Sequence, residues 1–322
     1  MNTRRVLTIG LLVLLLLALA AIPLVVEKDS IINLVILCLL YVTLASSWNL
    51  LGGYTGQVNL GYAAFFGLGS LLTRQLWTSG VPLFASMMVG CAVAVGFALI
   101  IGIPAFKLRG VYFSIGTLAL AQILFVTVGN EFPLISALPA KALATYDLLP
   151  RYYLFLAMAV ATVGAAYWLV HSRIGLGMMA VREQEDAAES LGVSALRHKL
   201  IALVASSFFA ALAGGAFAFY HVSYYPQFPF APVWTFDAVM MTFIGGVGTI
   251  VGPVIGAIFY VVVKEYLALN LVELHLIVFG VLFILVVLFL PGGLVEAWTR
   301  IRRLVRRSRS KPKPKESEPT AA

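Results

Sequence analysis

The sequence predicts an all-α protein: a polytopic transmembrane helical bundle of about ten spans with both termini in the cytoplasm. Of its 322 residues, 61% are hydrophobic and only 11% are charged, whereas about a quarter of the residues in soluble domains are charged. The mean hydropathy is +0.98, and long apolar runs recur along the whole chain. In such a chain the net charge of +8 reports orientation in the membrane, so nucleic-acid binding is not expected.

The apolar runs are separated by charged or turn residues, and each approaches the length needed to cross about 30 Å of hydrocarbon. In chain order the predicted spans are residues 6–26, 31–51, 58–77, 83–105, 110–130, 152–171, 200–221, 234–248, 250–267 and 273–290. The eighth and ninth runs are short and weakly separated. An alternative is therefore eight spans plus a hairpin that re-enters the membrane.

Basic residues are concentrated in segments that this arrangement places on one side of the membrane. They lie at the N-terminus, at 107–109, in the loop 171–199 and after residue 299. The positive-inside rule then predicts that both termini and this loop are cytoplasmic. Residues 1–299 form the predicted transmembrane domain. The basic tail 300–322 is expected to contact anionic lipid headgroups and to be disordered.

The loop 171–199 is too rich in charge to lie in lipid. Residues 180–191 lack Gly and Pro and precede Gly192, which predicts a short amphipathic helix ending there. On a helical wheel the apolar side is made mostly of small residues: Ala180, Val181, Ala187, Ala188 and Leu191. Small residues favour docking to another protein surface. A solvated connector is the alternative.

The segment 48–69 combines glycines with uncharged polar residues between two apolar runs. In hydrocarbon, a broken backbone persists only where protein or a wet cavity satisfies it. We therefore expect helix breaks at Gly52, Gly53 and Gly56. The predicted translocation pathway comprises Asn49, Tyr54, Gln57, Asn59 and, in the fifth run, Gln122. A cytoplasmic turn followed by a tightly packed helix is the alternative for this segment, and interhelical hydrogen bonding is the alternative for Gln122.

A second cluster of small residues, at 243–256, has few polar side chains. It predicts a helix break or tight hairpin rather than a substrate site. The predicted break residues are Gly245, Gly246, Gly248 and Pro253.

Ionisable residues are not expected at the centre of the membrane. We expect Arg74 to extend its side chain outward from the end of the third run, and Lys264 and Glu265 to mark an external end. The chain has no phosphate-binding loop, no metal-ligand spacing and no catalytic constellation. These absences favour a transporter powered by other subunits over a secondary transporter or an intramembrane enzyme.

Two sets of residues resemble known importers. Asp186, Ala187 and Ala188, followed three residues later by Gly192, resemble the EAA loop of bacterial ABC importer permeases, with Asp in place of Glu. Beyond this motif, four segments resemble, in order, the M-type permease of the branched-chain amino acid importers, which is close to the urea-importer permeases: residues 48–70, 107–124, 172–202 and 245–257.

This resemblance implies a multi-pass permease of the bacterial cytoplasmic (inner) membrane, with no catalytic or metal site. Its implied partners are a second homologous permease, two cytoplasmic ATP-binding subunits and a periplasmic solute-binding protein. ATP and Mg would be bound by the partner subunits, so no cofactor is expected in this chain. The coupling residues implied by the motif and its helical wheel are Arg182, Glu183, Glu185, Asp186, Ala187, Ala188, Glu189 and Gly192.

The implied solute is a branched-chain or other apolar amino acid. Urea, short amides and aromatic carboxylates are the alternatives.

Overall fold

The computed structural model describes residues 3–26, 28–138, 143–144, 146–270 and 292–299, and the single positions 278, 280, 281, 284 and 288. The predicted tail 300–322 lies outside the described residues. So does most of the predicted tenth span, 273–290.

The described chain is helical apart from one short strand pair, which confirms the predicted all-α class. The helices are α1 (Thr3–Val25), α2 (Asp29–Thr55), α3 (Tyr62–Thr78), α4 (Leu83–Ala105), α5 (Val111–Glu131), α6 (Leu148–Val170), α7 (Arg173–Glu183), α8 (Glu185–Ser190), α9 (Ala195–Tyr220), α10 (Val233–Gly245) and α11 (Val251–Asn270). Strands β1 (Ser136–Ala137) and β2 (Ser223–Tyr224) pair antiparallel, and a 3₁₀ turn spans Phe228–Phe230.

Six helices in the described part of the chain are long and apolar enough to cross a membrane: α2, α4, α5, α6, α9 and α11. The multi-pass architecture is therefore established, while the expected total of about ten spans stays a prediction. Helix α10 has only 13 residues. At 1.5 Å per residue it is about 20 Å long, well short of the hydrocarbon thickness of about 30 Å.

Helices α2 and α9 form the centre of the bundle, and α3 packs tightly against α9. Glycines allow this close approach. A Cβ atom added at Gly69 would lie 2.1 Å from the carbonyl oxygen of Ala211, and one at Gly214 would lie 2.0 Å from that of Phe66. Helix α5 is mostly exposed, which places it on the outside of this protomer.

Successive long helices run in opposite directions, so their connections gather at two ends of the bundle. We call the end that carries α7 and α8 the loop end, and the opposite one the far end. The C-terminus of α2 and the turn between α10 and α11 both reach the loop end, because both lie close to Arg182.

Candidate coupling and translocation site

The charged loop is not the single helix predicted at 180–191. Gln184 has extended backbone angles (φ −159°, ψ 109°) and separates α7 from α8. The break allows α8 to fold back, so that Ala188 packs with Val181 and Ala195 in a small buried cluster. Gly192 adopts φ 85°, a left-handed conformation that suits glycine.

The break also splits the expected apolar face. Ala188 and Val181 are buried inside the loop, whereas Ala187 is exposed and Leu191 is 86% exposed. We call the outward surface formed by Asp186, Ala187, Glu189 and Leu191 the docking patch. Glu183 is also exposed, on the preceding helix. An apolar side chain ringed by carboxylates on a charged loop is suited to a protein partner.

Two ion pairs join the loop to other parts of the chain, and the buried one fixes it to the bundle. The Lys199 ammonium on α9 lies 2.6 Å from a Glu185 carboxylate oxygen, with the two side chains 2% and 28% exposed. Glu185 therefore has an internal partner, in contrast to its expected place on a free polar face. The second pair, Arg109 with Asp186 at 3.3 Å, is largely exposed and contributes little to stability.

Arg182 connects the loop to two membrane elements. Its Nη1 donates a 2.6 Å hydrogen bond to the carbonyl oxygen of Gly53 near the end of α2. A few ångströms away, Asn49 on α2 donates to the carbonyl oxygen of Thr249 (2.8 Å) and accepts from the backbone N–H of Gly248 (2.9 Å). We call these five residues the loop-end hub. It joins α7, α2 and the α10–α11 turn.

The glycines of α2 are not the breaks that we expected. Gly52 and Gly53 are helical, and α2 continues to Thr55, after which Gly56 ends it with φ 72°. The reason is packing: a Cβ at Gly52 would collide with the Trp48 ring, and one at Gly53 would lie 1.9 Å from Asn49 Oδ1 and 2.8 Å from the Gly248 backbone nitrogen.

The link from α2 to α3 is held by its own polar groups. Asn59 is buried, accepts from the backbone N–H of Gly61 (2.8 Å), and its carbonyl accepts from Trp48 Nε1 (2.9 Å). Tyr54 is buried in α2, and Gln57 is half-buried at the loop end. Of the predicted pathway residues, Asn49, Tyr54, Gln57 and Asn59 are thus brought to one region. Their role in translocation stays a prediction.

Gln122 stands apart from that group. It is exposed on the outer face of α5, among apolar side chains such as Ile115 and Ile123. An amide on an exposed apolar helix is costly in lipid, so this face is suited to a second subunit or a wet pathway. The structure gives Gln122 no role in hydrogen bonding between the described helices.

The α10–α11 hairpin turns where the glycine cluster predicts it. Gly246 and Gly248 have φ 134° and 76°, respectively. The two helices then cross at very short range, since a Cβ at Gly245 would lie 1.8 Å from the Gly252 carbonyl oxygen, and one at Gly256 1.9 Å from that of Met241. Pro253 is not a break. It lies in the first turn of α11, where a missing N–H is tolerated.

A charged cluster inside the bundle was not expected from the sequence. The Asp237 carboxylate accepts hydrogen bonds from Tyr41 (3.0 Å) and from Tyr260, and pairs with the Lys264 ammonium at 3.2 Å. Asp237 is 7% exposed and Lys264 34%. Lys264 is therefore an internal partner rather than the marker of an external end. We call these four residues the mid-depth cluster, because Tyr41 lies at the middle of α2.

Asp237 could have been found from the sequence. It is the only acidic residue in the described 13-residue helix α10, and an acidic residue inside an apolar segment is by default a candidate functional group.

The far end contains a crevice of about 220 Å³. Its walls include the apolar residues Leu71, Phe132 and Leu134 as well as Arg74 and Glu131. Arg74 does not extend outward as expected. It is 1% exposed and donates to the carbonyl oxygens of Ala218, His221 and Val222 at 2.9 to 3.1 Å.

The imidazole of His221 lies close to this arginine. Burial, together with the nearby Arg74 guanidinium, lowers the pKa of His221 to about 4, so its ring is neutral at physiological pH. The far end thus presents one buried cation and one rim carboxylate beside an apolar wall.

Comparison with known proteins agrees with this architecture. Residues 30–287 match the family model described as branched-chain amino acid transport system / permease component. No solved structure matches the chain.

Two similar relatives are both described as high-affinity branched-chain amino acid transport system permease protein LivM. The one from Escherichia coli (strain K12) is 27% identical, over 88% of this chain and 74% of the relative. The one from Salmonella typhimurium (strain LT2) is 26% identical, over 85% and 71%.

A probable branched-chain amino acid transport permease protein LivM from Methanocaldococcus jannaschii is 28% identical, over 39% of this chain and 41% of the relative. The relatives are transport permease subunits, which confirms that a transport subunit rather than an enzyme is the correct class. Since the family model covers most of its length, the chain belongs to the branched-chain amino acid transport system permease family and is a multi-pass membrane permease of the ABC importer type.

Proposed function

We propose that this chain is the permease subunit of an ATP-driven importer that takes branched-chain or other apolar amino acids from a periplasmic binding protein across the bacterial inner membrane. A second homologous permease and two cytoplasmic ATP-binding subunits complete the complex. ATP and Mg are bound by those subunits, and this chain contributes the pathway and the coupling loop.

The observation that carries this proposal is the docking patch and its attachment. Leu191 and Ala187 are exposed on the loop, while Arg182 bonds to Gly53 of α2 and lies against Gly248 of the α10–α11 turn. When a partner bound to the patch changes conformation, it therefore moves the membrane helices directly. This is the arrangement required when the energy source is a separate subunit.

The far-end crevice supports the solute class. At about 220 Å³ it is below the range of about 300–1,000 Å³ typical of drug-sized ligands, which suits a solute as small as an amino acid. Apolar walls favour an aliphatic side chain, and the Glu131 carboxylate suits an amino group. The Arg74 guanidinium is buried and bonded to three carbonyl oxygens, so it contributes its positive field rather than a direct contact. Urea lacks both an aliphatic side chain and a charged amino group, and an aromatic carboxylate uses only the positive field.

A reconstituted complex tests the proposal. The chain is co-purified with the second permease and ATP-binding subunits encoded beside its gene, placed in liposomes, and given the secreted binding protein from the same locus. We expect uptake of radiolabelled leucine, isoleucine or valine that requires ATP and persists when a protonophore and a sodium ionophore collapse ion gradients. Uptake that continues without the ATP-binding subunits but stops with the ionophores would identify a secondary transporter instead. A preference for urea or benzoate would exclude the amino-acid assignment.

A further inference from the structure

The mid-depth cluster joins three helices around a carboxylate that is only 7% exposed. Tyr41 is on α2, Asp237 on α10, and Tyr260 and Lys264 on α11. Tyr41 also stacks on Trp234 of α10, with ring centroids 5.9 Å apart. An ion pair is a costly way to hold apolar helices together, because hydrophobic residues of similar volume are often as stable or more so. Its presence at this depth therefore calls for a role beyond packing.

Three polar attachments join α2 to the hairpin in the described part of the chain, and the cluster is the one farthest from the loop end. The nearest is the loop-end hub, where Asn49 on α2 bonds to two residues of the hairpin turn. Between the cluster and the loop end, Thr242 Oγ1 on α10 donates to the carbonyl oxygen of Ala45 on α2 (3.1 Å). Tyr41 and Asn49 are separated by 8 positions along one helix, which corresponds to about 12 Å. One attachment point allows two bodies to pivot about each other. Two points that far apart force them to tilt together.

The hub is also where the coupling loop meets the membrane helices, through the bond from Arg182 to Gly53. A displacement of the loop is therefore transmitted to α2 and the hairpin at their loop ends. Whether it reaches the far half of the bundle depends on the attachments farther along α2, of which the mid-depth cluster is the most distant from the hub. Polar contacts are suited to this task, because hydrogen bonds fix distance and direction, whereas apolar surfaces can slide over each other.

We propose that Asp237 and Lys264 are positioning residues for transport: their cluster locks the α10–α11 hairpin to α2, so that movement of the coupling loop is transmitted as one rigid tilt to the far half of the permease. The proposal rests on the function proposed above. It assigns the two residues to energy coupling rather than to contact with solute.

The test uses the complete importer in liposomes and a double variant, Asp237→Leu with Lys264→Met. This variant removes both charges, so no unpaired ion remains in the bundle. Complex yield, thermal stability, receptor-stimulated ATP hydrolysis and uptake are measured. We expect assembly and hydrolysis close to wild type, while solute moved per ATP falls about tenfold, within the usual range of coupling between distant sites. The matched control is Tyr266→Phe, on an exposed side chain of the same helix.

Two results overturn the proposal: an unchanged ratio of solute to ATP in the double variant, or a fall in hydrolysis and uptake strictly proportional to complex yield. If the double variant does not assemble, the volume-conserving pair Tyr41→Phe and Tyr260→Phe decides, because it removes two hydrogen bonds to Asp237 and keeps the ion pair. A wild-type ratio there also overturns it. Absence of ATP-dependent uptake in the wild-type complex, by contrast, refutes the proposed function itself.

Discussion

Arg182 and Gly53 meet across 129 residues of sequence, and the guanidinium of the first bonds at 2.6 Å to the main-chain oxygen of the second. The contact links the charged loop to the end of α2, one of the two helices at the centre of the bundle. It also explains why Gly53 is helical rather than a break: the carbonyl must be presented in a fixed direction, with Asn49 and Gly248 packed against the position where a side chain would be.

Replacing Arg182 by Met is expected to separate docking from transport. The substitution keeps an aliphatic side chain but removes a charge-assisted hydrogen bond that contributes roughly 1.5–3 kcal/mol. We expect the ATP-binding subunits to remain bound while uptake falls by about a factor of ten or more. Co-purification and uptake are measured together. Arg197→Met is the control, since Arg197 is exposed on the first turn of α9. Loss of the ATP-binding subunits from the Arg182 variant would assign this residue to docking.

Replacing Leu191, in contrast, is expected to weaken the binding of the ATP-binding subunits. Leu191→Asp places a charge at the centre of the docking patch and leaves the internal cluster of Val181, Ala188 and Ala195 intact. Losing the burial of one leucine costs about 1.5–3 kcal/mol, so affinity for the ATP-binding subunits should fall at least tenfold with no change in melting temperature. Leu143→Asp, an exposed position at the far end, is the control. If both variants bind the ATP-binding subunits with equal affinity, the docking patch is not part of the interface. Ala188→Glu is not equivalent, because Ala188 is buried within the loop.

The Glu185–Lys199 pair predicts an asymmetry between its two single variants. Glu185→Gln leaves a Lys199 ammonium that is 2% exposed without a counter-ion, and we expect a loss of stability of about 3 kcal/mol. Lys199→Met leaves Glu185, which is 28% exposed and can be hydrated, at a cost of about 1 kcal/mol. Melting temperatures in detergent measure both, and the double variant should recover much of the loss. A larger effect of Lys199→Met would show that Glu185 has no access to water.

Gly256 is one of two glycines at which α10 and α11 approach each other most closely. A methyl group in Gly256→Ala would lie 1.9 Å from the carbonyl oxygen of Met241, so the hairpin must open, at a cost of about 1–3 kcal/mol or more. We expect low yield and a reduced melting temperature. Gly96→Ala is the matched control, because nothing lies within 4 Å of the added methyl on α4. A Gly256→Ala protein as stable as the control would contradict the packing of this hairpin.

The positions and lengths of the apolar runs in the sequence predicted most of the helices. The runs predicted at 83–105 and 110–130 correspond to Leu83–Ala105 and Val111–Glu131, because hydrophobic continuity is a local property of the chain. Gly192 was recognisable for the same reason, since a left-handed residue after a helix is a local requirement.

Features that depend on distant residues were missed. Gln184 is compatible with a helix. Its extended conformation allows Ala188 to pack against Ala195 and Glu185 to form an ion pair with Lys199, both on α9. Asp237 has its partners 196 residues before it and 23 and 27 residues after it. No periodicity in the sequence reports such pairing. Gly52 and Gly53 were interpreted as breaks because glycine content alone does not distinguish a bend from a close helix contact.

The depth of the Asp237 cluster has a consequence for how the permease responds to its surroundings. Mobile ions screen charges that lie in water, with a Debye length of about 8 Å at physiological ionic strength, but they have little access to a carboxylate that is 7% exposed inside a bundle. Changes in salt concentration should therefore weaken exposed contacts such as Arg109 with Asp186 far more than the Asp237–Lys264 pair. The carboxylates of the docking patch lie in the open, so any charge pairing made there is sensitive to ionic strength, whereas the pair inside the bundle is largely shielded from it.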